Sequence, residues 1–500
     1  MHGSLMVCGT SSDAGKSTVT TGLCRLLARR GVAVAPFKGQ NMSLNAMVSA
    51  AGGEMGRAQW VQAIAAGAEP EVAMNPVLLK PTGERASQVV VMGRPAGVQE
   101  AGDYQASKRT LVDVVDAALA SLRALFDVVV CEGAGSPAEI NLLRDDIVNL
   151  GLARRAGIPA VLVGDIERGG VFAHLLGTVA ILPDELSSLI GGFVINRFRG
   201  DPALLGGAAA ELADRCGIPI LGVLPHLGDL GLDAEDSLAL AQPPGLPAAV
   251  PAAGLDVAAI RLPRLSNFTD LDPLAAEPGV RVRWVGQPGA LGDPDLVVIG
   301  GTRATVADLR WLGESGLAGA LDALRRGTSP PVILGICGGF QMMGQELRDP
   351  DGLESAEPVS AGLGWLPVDT VFEEEKLTRL TTIGGPDGAP VRGYEIRHGR
   401  LSPRPGFVAW LAPDGADGPL SAVAGAGVLL GTTLHGLFEE DAFRAWFLGH
   451  VATRRGAGWR PSGVSYAARR ERQIDRIADA CEEHLDLDRL WGLVETGSPT

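Results

Sequence analysis

The chain has 500 residues, of which 46% are hydrophobic and 20% charged, and a formal net charge of -15 at pH 7. That length exceeds what one hydrophobic core organises, so two or more globular domains are expected. The acidity argues against a nucleic-acid partner, because such proteins draw their affinity from clustered Lys and Arg.

Six cysteines, Cys8, Cys24, Cys131, Cys216, Cys337 and Cys481, stand at no disulfide-framework or metal-ligand spacing, which points to a reducing compartment. The N-terminus has no basic region leading into an apolar stretch, and no apolar run reaches membrane-spanning length. The expectation is a cytoplasmic protein with small-molecule partners and no membrane partner. Nothing in the pattern sets an oligomeric state.

The apolar run Leu5 to Val7 leads into Cys8-Gly-Thr-Ser-Ser-Asp-Ala-Gly-Lys-Ser-Thr18 and then an amphipathic segment, Val19 to Arg30. Strand, glycine-bearing turn and helix in that order aim backbone N–H groups and a helix N-terminus at one point, which suits phosphate. Lys16 is placed to reach the outer phosphates and Ser17 to offer its hydroxyl to Mg²⁺. Thr10, Ser11, Asp13, Ala14, Gly15, Lys16, Ser17 and Thr18 are therefore candidates for ATP binding. Five residues separate Gly9 from Gly15, where an ordinary P-loop has four, and Thr10 occupies the first glycine position. This longer form is similar to the loop of the dethiobiotin synthetase group, P-loop enzymes that phosphorylate a carboxylate or carbamate.

Val32 to Phe37 reads as a second buried strand delivering Lys38-Gly-Gln-Asn-Met-Ser-Leu-Asn-Ala46 to the ligand edge of a parallel sheet, although a solvated connection has the same composition. Glu54 reads as a carboxylate in the first turn of a helix. Asn75 to Pro81 and Val89 to Val91 suggest no chemistry. A helix over Ser107 to Leu125 precedes the strand Phe126 to Glu132, which places Glu132 beside the phosphate loop, where it can bind Mg²⁺ directly or through water. Strands at Pro159 to Gly164, Gly192 to Ile195 and Pro219 to Val223 complete a parallel sheet covered on both faces, with Asp165, Asn196 and Arg197 on its ligand edge.

The runs Lys38 to Ala46, Glu54 to Gln59, Glu132 to Leu142, Gly164 to Ala173 and Ile195 to Asp201 resemble cobyric acid synthase, an amidotransferase family of the cobalamin pathway. The resemblance implies that Lys38, Gln40, Asn41 and Ser43 face the corrinoid carboxylate and the transferred phosphoryl group. It implies that Glu54 and Glu132 join Ser17 around Mg²⁺, and that Asn196 and Arg197 lie near adenine. Glu167 stands where the family carries aspartate.

Gln242 to Gly254, dense in proline and without periodicity, reads as a semi-stiff spacer. Beyond it, strands at Asp256 to Arg261, Val280 to Val285 and Asp295 to Ile299 lead to Pro331-Val-Ile-Leu-Gly-Ile-Cys-Gly-Gly-Phe-Gln341. A buried strand running into Gly-x-Cys-x-Gly and a helix is a nucleophile elbow with sulfur in place of oxygen, its glycines permitting the strained backbone. The helix N-terminus favours the thiolate of Cys337. The N–H groups of Gly338 and of the Gly300 to Thr302 loop are oxyanion donors, so Gly301, Gly338 and Gln341 are candidate oxyanion or glutamine contacts. His435, directly after an apolar strand, is the candidate base, with His398 as competitor. The elbow resembles that of the triad-type glutamine amidotransferases, which implies Cys337 as nucleophile and His435 as base. Leu437 stands where most of those enzymes have glutamate, leaving Glu439 or a backbone carbonyl to orient the imidazole. Val464 to Leu490 reads as an amphipathic helix with a solvated charged face.

The fold expected is α/β: a P-loop synthetase domain at 1–241, a linker at 242–254, a class I (triad-type) glutamine amidotransferase domain at 255–450 and a helical extension at 451–500. The function that the resemblance implies is ATP- and glutamine-dependent amidation of the b, d, e and g carboxylates of adenosylcobyrinic acid a,c-diamide. Cobyrinic acid a,c-diamide synthase shares the architecture but not the 38–45 run. A partitioning-type ATPase switch shares the deviant P-loop but has no use for the Cys337 elbow.

Overall fold

The computed structural model describes residues 1–83, 86–228, 254–385, 388–411 and 419–497. The expected linker at 242–254, apart from Gly254, and the division at 241 lie outside the described residues.

The first half is built on a six-stranded parallel sheet with the spatial order Ile220–Pro225, Ile190–Phe198, Ala160–Asp165, Gly3–Gly9, Val128–Glu132, Val34–Phe37. Side chains alternate across a strand. Leu5 and Val7 thus enter one apolar cluster while Met6 and Cys8 enter the other, and the sheet is buried on both faces. Parallel strands with covered faces end together, and their C-terminal ends carry Gly9, Glu132, Asp165 and the polar residues after Val194 to one edge.

The second half repeats the plan. Its sheet runs Val280–Val285, Leu255–Ile260, Leu296–Ile299, Val332–Ile336, Leu429–Thr432, Ser421–Ala424, all parallel except the last strand. Two features were not legible in the sequence. A four-stranded sheet (Gln40–Met42, Val77–Pro81, Ala86–Val91, Arg94–Glu100) gives the unassigned segments after Asn75 their place. A long hairpin, Val368–Gly384 paired with Pro390–Pro403, reaches from the second half to the first. Tyr394 and Ile396 of that hairpin pack with Ala46, Val48, Leu78 and Val90 in a small apolar cluster that joins the halves.

Glu54 lies in the short strand Glu54–Gly56 rather than in a helix, because the helix begins at Arg57 after extended Gly56. The C-terminal segment forms two helices, Tyr466–His484 and Leu487–Thr496. Their charged side is half-exposed and also pairs with the first helix: Arg29 meets Asp475 at 2.8 Å and Asp479 at 2.6 Å, and Arg25 meets Glu471. Their apolar side, with Ile474, Ile477, Cys481, Leu490 and Trp491, enters the cluster of Leu5, Val7 and Leu23. Gly22 permits this approach, since a Cβ there would sit 2.6 Å from Cys481 Sγ. The end of the chain therefore closes the core of its beginning. Ile477→Ala, which empties a fully buried position, should cost about 2–5 kcal/mol and lower the first unfolding transition in calorimetry; an unchanged thermogram would show that the helix adds nothing to that core.

Candidate functional site

Gly15 caps the helix Lys16–Arg29 with φ 101°, a left-handed conformation that a side chain resists. A Cβ there would lie 1.9 Å from Asn196 Nδ2, and that same amide donates to the carbonyl of Ala14 at 3.0 Å. Asn196 thus pins the loop from the neighbouring strand. The loop is anchored from beneath by Thr10 N–H, which donates to Val163 O at 2.9 Å. Asp13, at φ 58°, lies 3.9 Å from Arg168, and Thr18 falls in the first turn of the helix. Lys16 Nζ donates to Ser11 O at 2.8 Å and to Gly135 O at 3.0 Å, curling over the loop as a phosphate-binding lysine does.

Glu132 is fully buried at the end of its strand. Its Oε1 accepts from Ser17 Oγ at 2.9 Å and from Lys38 Nζ at 2.9 Å, and Oε2 accepts from Gln62. Burial alone would raise this carboxyl; Lys38, with help from Gln62 and Lys16, outweighs it and holds the group below its ordinary range. The hydroxyl of Ser17 and the acid of Glu132 together fit a cation that draws its remaining ligands from phosphate oxygens and water. Among the described residues no three His, Cys, Asp or Glu converge on a metal position.

Glu54 does not join this pair. Its Oε1 accepts from Lys80 and its Oε2 from Lys376 of the long hairpin, the latter at 2.6 Å. Burial opposes the charge, yet the two ammonium groups hold the carboxyl at about 2. A carboxylate with both oxygens committed to lysines is a bridge between the halves, which corrects the metal assignment made from the sequence.

Lys38, Gln40, Asn41 and Ser43 line one cavity of about 750 Å³ together with Lys16. Tyr104 donates to Gln40 Oε1 at 2.7 Å and Asn41 donates to Gln59 at 2.9 Å, so the recognition loop is held by side chains from two helices. Lys108 and Arg264 add positive charge to the same wall. Neither was singled out in the sequence, because one sits mid-helix and the other comes from the second half. Arg197, at φ 62°, donates to Asp165 at 2.9 Å, and Glu167 pairs with Arg199 at 2.6 Å.

At the second centre, Cys337 occupies φ 51°, ψ -107° at the start of the helix Gly338–Met343. The strain sits on the cysteine itself and not on the flanking glycines, a correction to the elbow as first read. Gly335 and Gly339 serve close packing: a Cβ on the first would lie 2.7 Å from Phe340 backbone, on the second 1.9 Å from Ile299 O. The Gly300 to Thr302 loop lies against the elbow, with Thr302 N 3.1 Å from a Cβ built on Gly338, and Gly301 lies beside His435. Gln341, buried below Cys337, accepts from Thr305 Oγ1 at 3.3 Å.

The strands before Cys337 and His435 are parallel neighbours, Ile336 opposite Thr432, and this brings thiol and imidazole to one edge. His435 is buried; desolvation works against its charged form, but Asp270 and then Cys337 outweigh it and raise the imidazole to about 10. His398 faces the same pocket, but its Nδ1 donates to Glu373 O and its Nε2 accepts from Gln88 Nε2, and burial with Lys376 nearby lowers it to about 4. The pocket around Cys337 measures about 50 Å³ and is lined by Arg303, Glu354, Lys376, Arg397, His398 and His435. Charged groups of both signs meet there, among them Arg303 bonded to Glu354 at 3.0 Å, and neither of those two was marked in the sequence.

Two family models match the chain: the CobQ/CobB/MinD/ParA nucleotide binding domain over residues 5–237 and the CobB/CobQ-like glutamine amidotransferase domain over residues 256–443. The chain is 52% identical to the cobyric acid synthase of Nocardia farcinica, over 100% of this chain and 98% of the relative. It is 50% identical to that of Mycobacterium sp. strain KMS, over 99% and 97%, and 49% identical to that of Frankia casuarinae, over 100% and 98%. No described helix is long and apolar enough to cross a membrane.

Gly15→Ala should abolish ATP binding in titration calorimetry, since both the left-handed φ and the 1.9 Å contact oppose a methyl group. Binding at wild-type affinity would show that the loop does not hold the nucleotide.

Proposed function

This chain belongs to the cobyric acid synthase family, glutamine amidotransferase ligases of cobalamin synthesis, and from that premise we propose how its two centres divide the work. Residues 1–241 act as the ATP-dependent synthetase unit and 255–450 as the glutaminase unit, with 451–500 as a helical extension. The single observation that carries the reading is the pairing of a cation-lined cavity at Lys16 with a strained Cys337 on the same sheet edge as the buried imidazole of His435.

A carboxylate resists ammonia because it is anionic and its oxygen is a poor leaving group. Transfer of the γ-phosphoryl group of ATP to that oxygen gives an acyl phosphate, whose phosphate is a good leaving group. Lys16 releases its two carbonyl partners and turns to the transferring phosphoryl, where it neutralises charge as it develops. Ser17 and Glu132 would hold Mg²⁺, which would supply Lewis-acid stabilisation of the charge on the transferring group. Lys38, which donates to Glu132 at 2.9 Å, exchanges that acid for the acceptor carboxylate. The acceptor is the adenosylated a,c-diamide corrinoid, with its b, d, e and g carboxylates amidated; a polyanion of that kind suits a wall carrying Lys16, Lys38, Lys108 and Arg264.

In the second centre His435 holds the proton of Cys337, and the thiolate attacks the glutamine amide carbon. The oxyanion is met by the N–H of Gly338 and one from the Gly301 loop. His435 then protonates the departing ammonia, leaving a thioester that water hydrolyses to glutamate. Arg303 and Lys376 suit the α-carboxylate of glutamine and Glu354 its α-ammonium group. A pocket of about 50 Å³ is below the ordinary range of about 300–1,000 Å³ for small-molecule sites, so these side chains part before glutamine enters.

Cys337→Ala should abolish amidation supported by glutamine while a high ammonia concentration still supports it, as read by mass spectrometry of the corrinoid. Equal loss with both donors would contradict separate centres. Lys16→Ala should reduce product formation from either donor by about 10²–10³, and full activity would refute its role at the phosphoryl group.

A further inference from the structure

The side chain that orients His435 is not one the sequence pointed to. Leu437, two residues on, is buried in an apolar cluster, and Glu439 is committed to Arg57 at 2.5 Å and Arg470 at 2.8 Å. The imidazole meets Asp270 instead: Oδ2 lies 2.6 Å from Nδ1, and Oδ1 accepts the N–H of Gly436 at 2.8 Å. One oxygen is therefore fixed by the backbone next to the histidine while the other fixes the ring.

Asp270 sits in the single turn Phe268–Leu271, entered through Asn267 at φ 50°, ψ 40°, a left-handed conformation in a residue that has a Cβ. Asn267 is buried, and every polar group it carries is used. Its N–H donates to Leu44 O at 3.3 Å, its Oδ1 accepts from Ala46 N at 3.2 Å, its Nδ2 donates to Tyr394 Oη at 3.0 Å, and its carbonyl accepts from Asp270 N at 3.0 Å. Thr269 Oγ1 adds a bond to Asn45 Oδ1 at 3.0 Å. Three successive residues of the first half thus grip the turn that carries the carboxylate.

The same asparagine reaches the other side of the imidazole. Tyr394 stacks on the His435 ring at 5.3 Å between centroids, and the two residues exchange backbone hydrogen bonds at 3.0 and 2.9 Å. Edge and face of the imidazole are both tied, through Asn267, to Leu44–Ala46. Ser43 and Leu44 in turn line the cavity that contains Lys16 and Lys38.

We propose that Asp270 is the positioning residue for His435 in glutamine hydrolysis, and that Asn267 couples that position to the 43–46 segment of the synthetase half. The proposal rests on the reading of Cys337 and His435 given above. A displacement of the 43–46 segment is felt at the imidazole through two short chains of bonds, so the nitrogen-releasing centre is complete only when the acceptor half holds it.

The test compares glutamine hydrolysis and ammonia-supported amidation in the full-length enzyme. In Asp270→Asn the N–H of Gly436 keeps the amide oxygen, which turns the amide NH₂ toward Nδ1 and leaves the ring proton on Nε2, where it cannot accept from Cys337. Glutaminase kcat should fall about 10³-fold or more, the scale known for loss of the correct tautomer, with KM for glutamine changed less than about threefold. In Asn267→Gly the backbone conformation is kept and the side-chain links are lost. Glutaminase kcat should fall roughly 10- to 100-fold, the scale of an ångström misplacement, and amidation from ammonia should persist in both variants. A kcat within threefold of wild type in Asp270→Asn overturns the positioning role, and an unaffected Asn267→Gly overturns the coupling. Loss of ammonia-supported amidation in both variants would assign these residues to the fold and overturn both. Wild-type enzyme that neither hydrolyses glutamine nor uses ammonia would instead defeat the functional reading on which the proposal stands.

Discussion

The arrangement of the molecule depends on a buried charge shared between its halves. Glu54 is fully buried, with Lys80 on one oxygen and Lys376, from the hairpin of the other half, on the second. Removing one partner from such a pair leaves an uncompensated charge in the interior, at about 3–5 kcal/mol, whereas the intact pair adds little net stability over an apolar equivalent. The interaction therefore acts less as glue than as a constraint on geometry: the halves satisfy these charges in one relative placement. Arg57 bonding Glu439, and Arg264 donating to Thr82 O at 2.8 Å, impose the same condition at other points of the interface.

Fixing the halves in that placement brings two differently built cavities near one another. Lys80 lines the Cys337 pocket while Pro81 lines the phosphate-side cavity, and Ser266 and Arg264 divide in the same way. The wall between the two cavities is thus a few residues of strand and turn. Its two faces carry different chemistry. The Lys16 side gathers lysines and an arginine around a wide space, which on the proposed reading suits a polyanion and a triphosphate. The Cys337 side is narrow and mixes Arg303, Lys376 and Glu354, which on the same reading suits a small zwitterion. Burial raises Glu354 to about 7 despite Arg303 beside it.

What could be read from the sequence was what is local. The strand, the Gly15 turn and Lys16 lie within one stretch, and so do the strand, Cys337 and its helix; their neighbours in space are largely their neighbours in the chain. Ser17 and Glu132 were brought together because parallel strands end at one edge. Glu54 was misplaced because its partners are contributed by strands 26 and 322 residues away, a separation that no periodicity records. Asp270 was missed for a related reason: it belongs to a turn of four residues with no motif, and only the fold brings it against a histidine 165 residues later. The C-terminal helices were legible in part. Their charged face is half-exposed, as their mixed charges suggested, but its acids also pair with Arg25 and Arg29 while the apolar stripe completes the first core.

The missing glutamate after His435 has a packing cause. Leu437 is 2% exposed and lies in the cluster of Phe438, Phe443, Phe447 and Trp459. A carboxylate introduced there would lose its hydration among aromatic rings, and a buried unpaired charge of that kind is far costlier than the loss of one hydrogen bond. The acid that steadies an imidazolium has to come from a place where its second oxygen is also satisfied. Asp270 meets that condition through the N–H of Gly436, at φ 76°, whose turn aims its amide at the carboxylate. Moving the acid from beside the histidine to the 267–271 turn has a further effect. A glutamate two residues from the histidine would move with it, as part of the same turn. An aspartate on a turn gripped by Leu44–Ala46 moves with the other half, and so a change in chain position converts a fixed support into one that answers to the acceptor side.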